Sequence, residues 1–171
     1  MATTTTRGHV NRALDFFGRS SIYFGIGRPE AWTNDSSPPN EDIDATALDT
    51  VIGYKRALTK YIIRPVEAGE TADIQYRTGD WKVVTPEDAI AEGARWIYLD
   101  TTIEYDELPL GAYRQVGLFT GLVPADGVPE GRFNLLPEDV ADAGMLEVID
   151  NRLPSTRQAD QTEKLSLILE F

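Results

Sequence analysis

The stretch MLEVIDNRLPSTRQADQTEKLSLILEF, residues 145–171, indicates what kind of fold this chain adopts. Its last residues place an apolar set at one parity, formed by Leu165, Leu167, Leu169 and Phe171. Because successive side chains of a strand point to opposite faces, this pattern predicts a strand with one buried face. Chain ends are normally frayed, so a final residue that reads as core predicts a strand held inside a sheet built by the preceding sequence.

The earlier part of this stretch predicts a second strand and a link. Residues 145–149 are mostly apolar and predict a strand. Residues 151–160 carry two arginines and a proline and predict an irregular polar link. Such a link is either an inert loop or a contact surface.

Composition limits the possible partners. Sixteen Lys and Arg against 28 Asp and Glu give a net charge of −12. This charge argues against nucleic acid or an anionic membrane as the main partner and leaves a basic or neutral protein partner open. The chain has no cysteine, which excludes disulfides, thiolate metal sites and cysteine nucleophiles.

The length of 171 residues predicts a single β-rich domain over residues 1–171, with residues 1–6 flexible. The first ten residues lack the apolar core of a signal peptide. No run approaches the roughly 18 apolar residues that span a bilayer. We therefore expect a soluble product that is not exported by the general route.

The periodicities predict about three short helices. Residues 7–17 have helical spacing behind a run of threonines that can cap them, and Gly18 ends the segment. Residues 45–55 predict a second helix, capped by Asp44. Thr85 and the proline and acids after it predict a brief third helix ending near Gly93.

The remaining apolar segments predict strands. They are residues 20–27, 58–66, 74–76, 81–84, 95–105 and 113–122, in addition to the two C-terminal ones. Residues 77–80 join two of them as a tight hairpin in which the glycine takes positive φ. A loop follows at 123–132, and residues 137–143 predict one or two helical turns. Since strands and helices do not alternate regularly, the predicted fold is β-rich α+β, a mostly antiparallel sheet or sandwich of about seven or eight strands.

Glycines leave one face of the first strand almost bare. Gly25 and Gly27 share one parity, opposite the apolar side chains of this strand. A face without side chains lets another backbone or a large side chain approach closely. The nearest large side chain in the sequence is Trp32, and we expect packing here rather than chemistry.

The residue types that catalysis requires are sparse or badly placed. The one histidine, His9, lies in the first amphipathic segment, where a solvated helix residue is the ordinary interpretation. The run from Gly25 to Pro29 lacks the lysine and third glycine of a phosphate loop. Acid-dense segments at 41–44 and 100–107 lack calcium-loop spacing and are typical of a solvated face. We therefore predict no enzyme activity, no metal and no cofactor, and a carboxylate hydrolase remains a minor alternative.

One aromatic pair offers an alternative function. Trp96 and Tyr98 share one face of a predicted strand and would form a stacking row if that face were exposed. Such a row would suit a receptor-binding or glycan-binding module. Cover by a second sheet or by a partner subunit is the other interpretation.

Three stretches together resemble a known family. They are IYFGIGRPEAW, YRQVGLFT and VIDNRLPSTRQADQTEKLSLILEF. The residues that carry the resemblance are Gly27, Arg28, Trp32, Arg114, Gln115, Asn151, Arg152, Pro154, Asp160, Gln161, Thr162, Glu163 and Phe171. They resemble the baseplate wedge subunits of contractile-tailed bacteriophages, a family that includes gene product eight of the T-even coliphages. The coliphage protein is considerably longer, so this chain resembles its core without the insertions.

The resemblance implies a structural protein of the virion. It implies a homodimer placed in the tail baseplate beside other wedge proteins and tail-fibre or fibre-network proteins, assembled in the host cytoplasm, without catalysis. Arginine and tryptophan dominate interface energetics, which makes Arg28, Trp32, Arg152 and Arg157 the candidate interface residues. For Arg28 and Arg152, pairing with acids inside the monomer is an equally good interpretation.

Overall fold

A computed structural model describes all 171 residues and contains one α-helix, one 3₁₀ helix and twelve strands. The helix α1 is Thr6–Phe17, and the 3₁₀ helix is Pro137–Asp139. The strands are β1 (Ile22–Gly27), β2 (Val51–Arg56), β3 (Thr59–Pro65), β4 (Ile74–Tyr76), β5 (Gly79–Val84), β6 (Trp96–Ile103), β7 (Gly111–Thr120), β8 (Val123–Pro124), β9 (Asn134–Leu135), β10 (Val140–Asp142), β11 (Met145–Arg157) and β12 (Glu163–Glu170). The β-rich class is confirmed, and the prediction of about three helices is wrong.

The first compact unit consists of Met1–Arg19, Leu58–Asp100 and Ser166–Phe171. Its sheet has the order β12-β6-β3-β5-β4, and β3 pairs antiparallel with both β5 and β6. The helix α1 begins as predicted, because Thr5 Oγ1 accepts a hydrogen bond from the Gly8 amide at 3.1 Å. No helix in the chain is long and apolar enough to cross a membrane.

The second compact unit consists of Ser20–Ala57 and Thr101–Leu165. Its main sheet has the order β11-β7-β1-β2-β9, and β8 and β10 form a separate two-stranded sheet. The central strand β1 pairs antiparallel with β2 and β7, and β7 pairs antiparallel with β11. All six residues of β1 are buried.

Two cross-strand glycines shape the core of this second unit. Gly25 of β1 lies directly opposite Gly117 of β7. A Cβ at Gly25 would lie 2.7 Å from the Phe119 ring, and one at Gly117 would lie 3.0 Å from Leu48. The expected packing role is confirmed, but Leu48 and Phe119 fill the space and Trp32 does not.

The predicted helix over residues 45–55 is wrong. Residues 51–56 form β2, which lies beside β1 and hydrogen-bonds to it. Val51 and Ile52 are β-branched and favour an extended chain. Gly53 allows a close approach, because a Cβ there would lie 2.7 Å from Leu108. Leu48, just before β2, is buried at 4% exposure.

Two local predictions hold in part. The hairpin between β4 and β5 is confirmed, but the residue with positive φ in its turn is Arg77, at 53°, and not Gly79. Thr85 Oγ1 accepts a hydrogen bond from the Asp88 amide as a helix cap does, at 3.3 Å. Residues 86–93 nevertheless form successive turns and no regular helix.

The C-terminal stretch is more regular and less buried than its pattern predicts. The strand β11 runs through Arg157, so the predicted link at 151–160 is largely strand, with register shifts between Leu146 and Val148 and between Asn151 and Ser155. The strand β12 is confirmed. Leu165 is buried at 2% exposure, whereas Phe171 is half-buried and packs 5.2 Å from the Phe16 ring.

Candidate interaction surface

Residues 28–50 leave the sheet of the second unit after β1 and return to it at β2, and we call them the anchored loop. Arg114 of β7 holds its first part. The guanidinium donates two hydrogen bonds to the Asp35 carboxylate, at 2.8 and 2.7 Å, and one to the Pro29 carbonyl, at 2.6 Å. Arg114 is 7% exposed, and the two-pronged pairing fixes both partners in orientation. The hydrogen bonds from Arg114 also hold the pKa of Asp35 below its ordinary value.

Trp32 ties the same loop to β11. Its indole Nε1 donates a hydrogen bond to the Arg152 carbonyl at 3.0 Å, and its backbone amide donates to Asp35 at 2.8 Å. The Arg28 guanidinium lies 4.1 Å from the ring centroid, within the range of a cation–π contact. Trp32 is 8% exposed, so most of its surface is buried by other residues of the same chain.

Gln115 and Asn151 hold the middle and the end of the anchored loop. Gln115 Oε1 accepts from the Asp49 amide at 2.8 Å, and its Nε2 donates to Asn151 Oδ1 at 3.0 Å. Asn151 Nδ2 donates to the Pro39 carbonyl at 3.2 Å, and its amide donates to the Glu41 carboxylate at 3.3 Å. The loop is therefore fixed to β7 and β11 by side chains of both strands.

These contacts bring together residues that are far apart in the sequence. We call the set the anchoring network; its members are Arg28, Trp32, Arg114, Gln115, Asn151 and Arg152. All six belong to the residues that carry the family resemblance. Asp35 and Asp49 complete the network, and sequence reasoning missed them because both lie among other polar loop residues without a distinguishing pattern.

Two arginines of the network remain accessible. The Arg28 side chain is 24% exposed and pairs with Asp49, and the Arg152 side chain is 32% exposed and pairs with Asp150. The monomer-internal pairing that the sequence left open is therefore present, and part of each guanidinium stays available. A cavity of about 270 Å³ opens beside them, lined by Arg28, Trp32, Thr33, Asn34, Ser37 and Pro39.

Arg157 lies inside the chain, away from any surface on which a partner could dock. It is 2% exposed and donates to three backbone carbonyls, those of Leu108, Pro109 and Glu104. These bonds hold the segment that precedes β7. The structure thus gives Arg157 a structural place, and its expected part in an interface has no accessible surface to support it.

Glu163 begins β12 and binds the end of β11. It accepts hydrogen bonds from the Tyr113 hydroxyl and from Ser155 Oγ, the latter at 3.3 Å. Burial, together with the bond to Glu163, raises the pKa of Tyr113 to about 12. This family residue therefore has a packing role at the entry to the last strand.

Of the two interpretations of Trp96 and Tyr98, the structure favours a covered face over an exposed platform. Tyr98 is 6% exposed, packs edge-on against Tyr76 at 6.3 Å, and donates to Asp100 at 2.9 Å. Trp96 is half-buried, with its ring 5.7 Å from that of Trp81. Tyr76 of β4 and Trp81 of β5, strands of the same sheet, therefore cover the row and no exposed platform forms.

No cluster of three or more His, Asp or Glu side chains is close enough to hold a metal ion. His9 lies in α1. The hydrogen bonds described above anchor a loop to two strands of the sheet.

Two comparisons with known proteins match the whole chain. The model of the family described as "Baseplate wedge 3 tail fiber network component" matches residues 1–171. A curated relative, "Virion protein 3" of Enterococcus phage phiEF24C, is 34% identical over 173 residues, which cover 99% of this chain and 94% of the relative.

Proposed function

Because the chain belongs to the baseplate wedge 3 tail fibre network component family and is a structural protein of the phage virion, we propose that it is a symmetric building block of the tail baseplate. It acts through surface complementarity with neighbouring subunits. We expect no catalysis and no cofactor. Assembly in the host cytoplasm belongs to the same proposal.

The anchoring network is the observation that supports this role best. Six family-type residues fix a loop of more than twenty residues that has no helix or strand of its own until β2 begins at Val51. A loop fixed in one conformation loses little entropy when a partner binds to it. The network therefore suits a docking surface that is preformed before assembly.

We propose Arg28 and Arg152 as the contact residues of this surface. Both contact Trp32, Arg28 through its guanidinium and Arg152 through its backbone carbonyl. Both guanidinium groups are partly exposed and already oriented by an acid of the same chain. An interface hot spot typically combines an arginine with a well-packed aromatic residue. A partner carboxylate could therefore add to each pair without reordering the arginine.

We further propose that the protein forms a homodimer and contacts other baseplate wedge proteins and tail-fibre or fibre-network proteins. A stable interface of this kind buries on the order of 1,000 Å² or more. The net charge of −12 favours neighbours with basic surfaces and makes their association sensitive to salt. Fibre attachment is the most specific part of this proposal, and it rests on the family description.

Immunogold electron microscopy of the corresponding phage, with an antibody raised against this chain, tests the placement. We expect label around the periphery of the baseplate. Label at fibre tips would favour a receptor-binding module instead, and unlabelled particles would contradict the proposal.

Sedimentation of the purified protein over a range of concentrations tests the homodimer. A protein that sediments as a monomer at every concentration would exclude it.

The Arg152→Ala substitution tests the contact surface. We expect it to reduce incorporation of the protein into baseplates while the isolated protein stays folded. Arg12→Ala, at an exposed helix position without an ion pair, is the matched control. High salt should also weaken incorporation of the wild-type protein, and incorporation that is indifferent to both Arg152 and salt would contradict a charged contact.

A further inference from the structure

We propose that a second surface of the protein, a groove between residues 45–46 and 142–146, binds an extended segment of a baseplate protein that presents a large apolar side chain flanked by Lys or Arg. The groove encloses about 410 Å³ and is lined by Ala45, Thr46, Asp142, Gly144, Met145 and Leu146. Its volume lies in the range of roughly 300–1,000 Å³ that is typical of binding pockets.

The groove has an apolar floor and an apolar wall. Leu146 packs against the core cluster of the second unit, so the floor is continuous with the interior. Met145 stands at the rim with 63% of its surface exposed, although it belongs to β11 and pairs with Thr120. Ile43, two residues before the groove lining, is 96% exposed. Exposed large apolar side chains beside a groove are typical of a binding site for another protein.

A turn at Gly144 fixes the backbone beside the groove. Gly144 has φ of +73°, and its amide donates to Asp142 Oδ1 at 2.9 Å. A Cβ at Gly144 would clash with the backbone of residues 120–122. The turn therefore depends on glycine and orients both Asp142 and Met145 at the rim.

The charge around the groove identifies the kind of occupant. Residues 29–54 contain six acids and no Lys or Arg, and residues 133–151 contain five acids and no Lys or Arg. These two cation-free segments meet at the groove, which takes its lining from both. Asp42, Asp44 and Asp142 are exposed and have no ion pair. The negative potential they produce favours an occupant with positive charge on either side of its apolar anchor.

The same charge argues against a second copy of this chain in the groove. A second copy would bring the same excess of acids to the contact, and like charges brought together are unfavourable. The groove is therefore assigned to a different protein. This assignment relies on the proposed baseplate role only for the identity of the protein that supplies the segment.

The protein contains two methionines, Met1 and Met145, which makes a specific probe available. We would label the methionine methyl groups with ¹³C and titrate the full chain with the peptide Lys-Lys-Phe-Leu-Lys-Lys. We expect the Met145 methyl resonance, assigned with Met145→Leu, to shift while that of Met1 stays in place. The peptides Glu-Glu-Phe-Leu-Glu-Glu and Lys-Lys-Ser-Ser-Lys-Lys should produce no comparable shift.

The charge requirement has its own matched pair of variants. Asp44→Asn with Asp142→Asn should weaken binding of the basic peptide about fivefold, since each exposed charge pair contributes modestly. Asp80→Asn with Glu87→Gln removes the same charge from exposed positions of the first compact unit and should leave binding nearly unchanged. The inference would be overturned if both double variants lost the same affinity for the basic peptide. It would also be overturned if the acidic peptide shifted the Met145 resonance as much as the basic one, or if the basic peptide left that resonance in place. Immunogold labelling of the baseplate could succeed in each of those cases, so the two proposals fail separately.

Discussion

The indole Nε1 of Trp32 donates its hydrogen bond to the backbone carbonyl of Arg152, 120 residues further along the chain. The replacement Trp32→Phe removes this donor and leaves the carbonyl without it. We expect the free energy of unfolding to fall by about 1–3 kcal/mol, measured by urea denaturation. Trp81→Phe is the control, because the buried Nε1 of Trp81 has no partner. If the two variants lose the same stability, the hydrogen bond from Trp32 does not stabilise the loop.

Arg157→Met keeps an extended side chain but removes the three hydrogen bonds that the buried guanidinium donates to backbone carbonyls. We expect the free energy of unfolding to fall by about 3 kcal/mol, because three hydrogen bonds from a charged group are lost, one of them to the carbonyl of the buried Leu108. Hydrogen exchange should also accelerate in residues 104–110, to which Arg157 donates. Arg152→Met, at a half-exposed ion pair, should cost less than about 1 kcal/mol. Unchanged exchange in residues 104–110 would contradict this role of Arg157.

Gly25→Ala places a methyl group where the Phe119 ring already lies, at 2.7 Å. We expect the free energy of unfolding to fall by about 1–3 kcal/mol, the usual effect of overpacking a core. Gly18→Ala should instead raise the free energy of unfolding, because alanine restricts the unfolded chain more than glycine does. Gly18 has φ of −68°, which alanine also adopts, and no atom lies nearer than 3.5 Å to the added carbon. A neutral Gly25→Ala would mean that Phe119 can move aside freely.

Acid should weaken the anchored loop through Asp35. Its pKa is lower in the folded chain than its ordinary value of 3.8, chiefly because Arg114 donates hydrogen bonds to it. Its contribution to stability is therefore present above that ordinary value and is lost as the pH falls through the folded pKa. Asp35→Asn should lower the thermal midpoint at neutral pH, and the difference from wild type should narrow in acid. Asp126→Asn, an exposed acid without a hydrogen bond, should follow the wild-type curve throughout.

The expectation of a single domain over residues 1–171 can be tested by calorimetry. The strands β6 and β12 each contribute residues to both compact units. Separating the units would therefore divide both strands. We expect one unfolding transition whose calorimetric and van't Hoff enthalpies agree. Gly25→Ala should shift that whole transition. Two separate transitions would contradict the single domain.

Sequence patterns predicted the elements whose signals are local. The threonine cap and helical spacing of residues 7–17 gave α1, and the alternation in residues 95–105 and 113–122 gave β6 and β7. Residues 45–55 failed because Leu48, Val51 and Ile52 fit helical spacing as well as an extended chain. Pairing with β1 decides between the two, and that partner lies more than twenty residues away.

The interaction surface was predictable in its residue types and not in its geometry. Arg28, Trp32 and Arg152 were singled out as contact residues, and the structure brings them together. Asp35 could not be predicted as a member, because its partner Arg114 lies 79 residues away and nothing in the sequence around Asp35 indicates the pairing. Arg157 was grouped with the contact residues because of its residue type and because residues 151–160 were predicted to be an irregular link, whereas a strand continues to Arg157.

The chain passes between its two compact units at four places, after Arg19, Ala57, Asp100 and Leu165. Two of these crossings lie within the strands β6 and β12, and none is a long flexible linker. A pulling force that separates the units would be shared by four covalent connections in parallel instead of a single tether. Tearing the chain apart between its two units would therefore require all four connections to give way together.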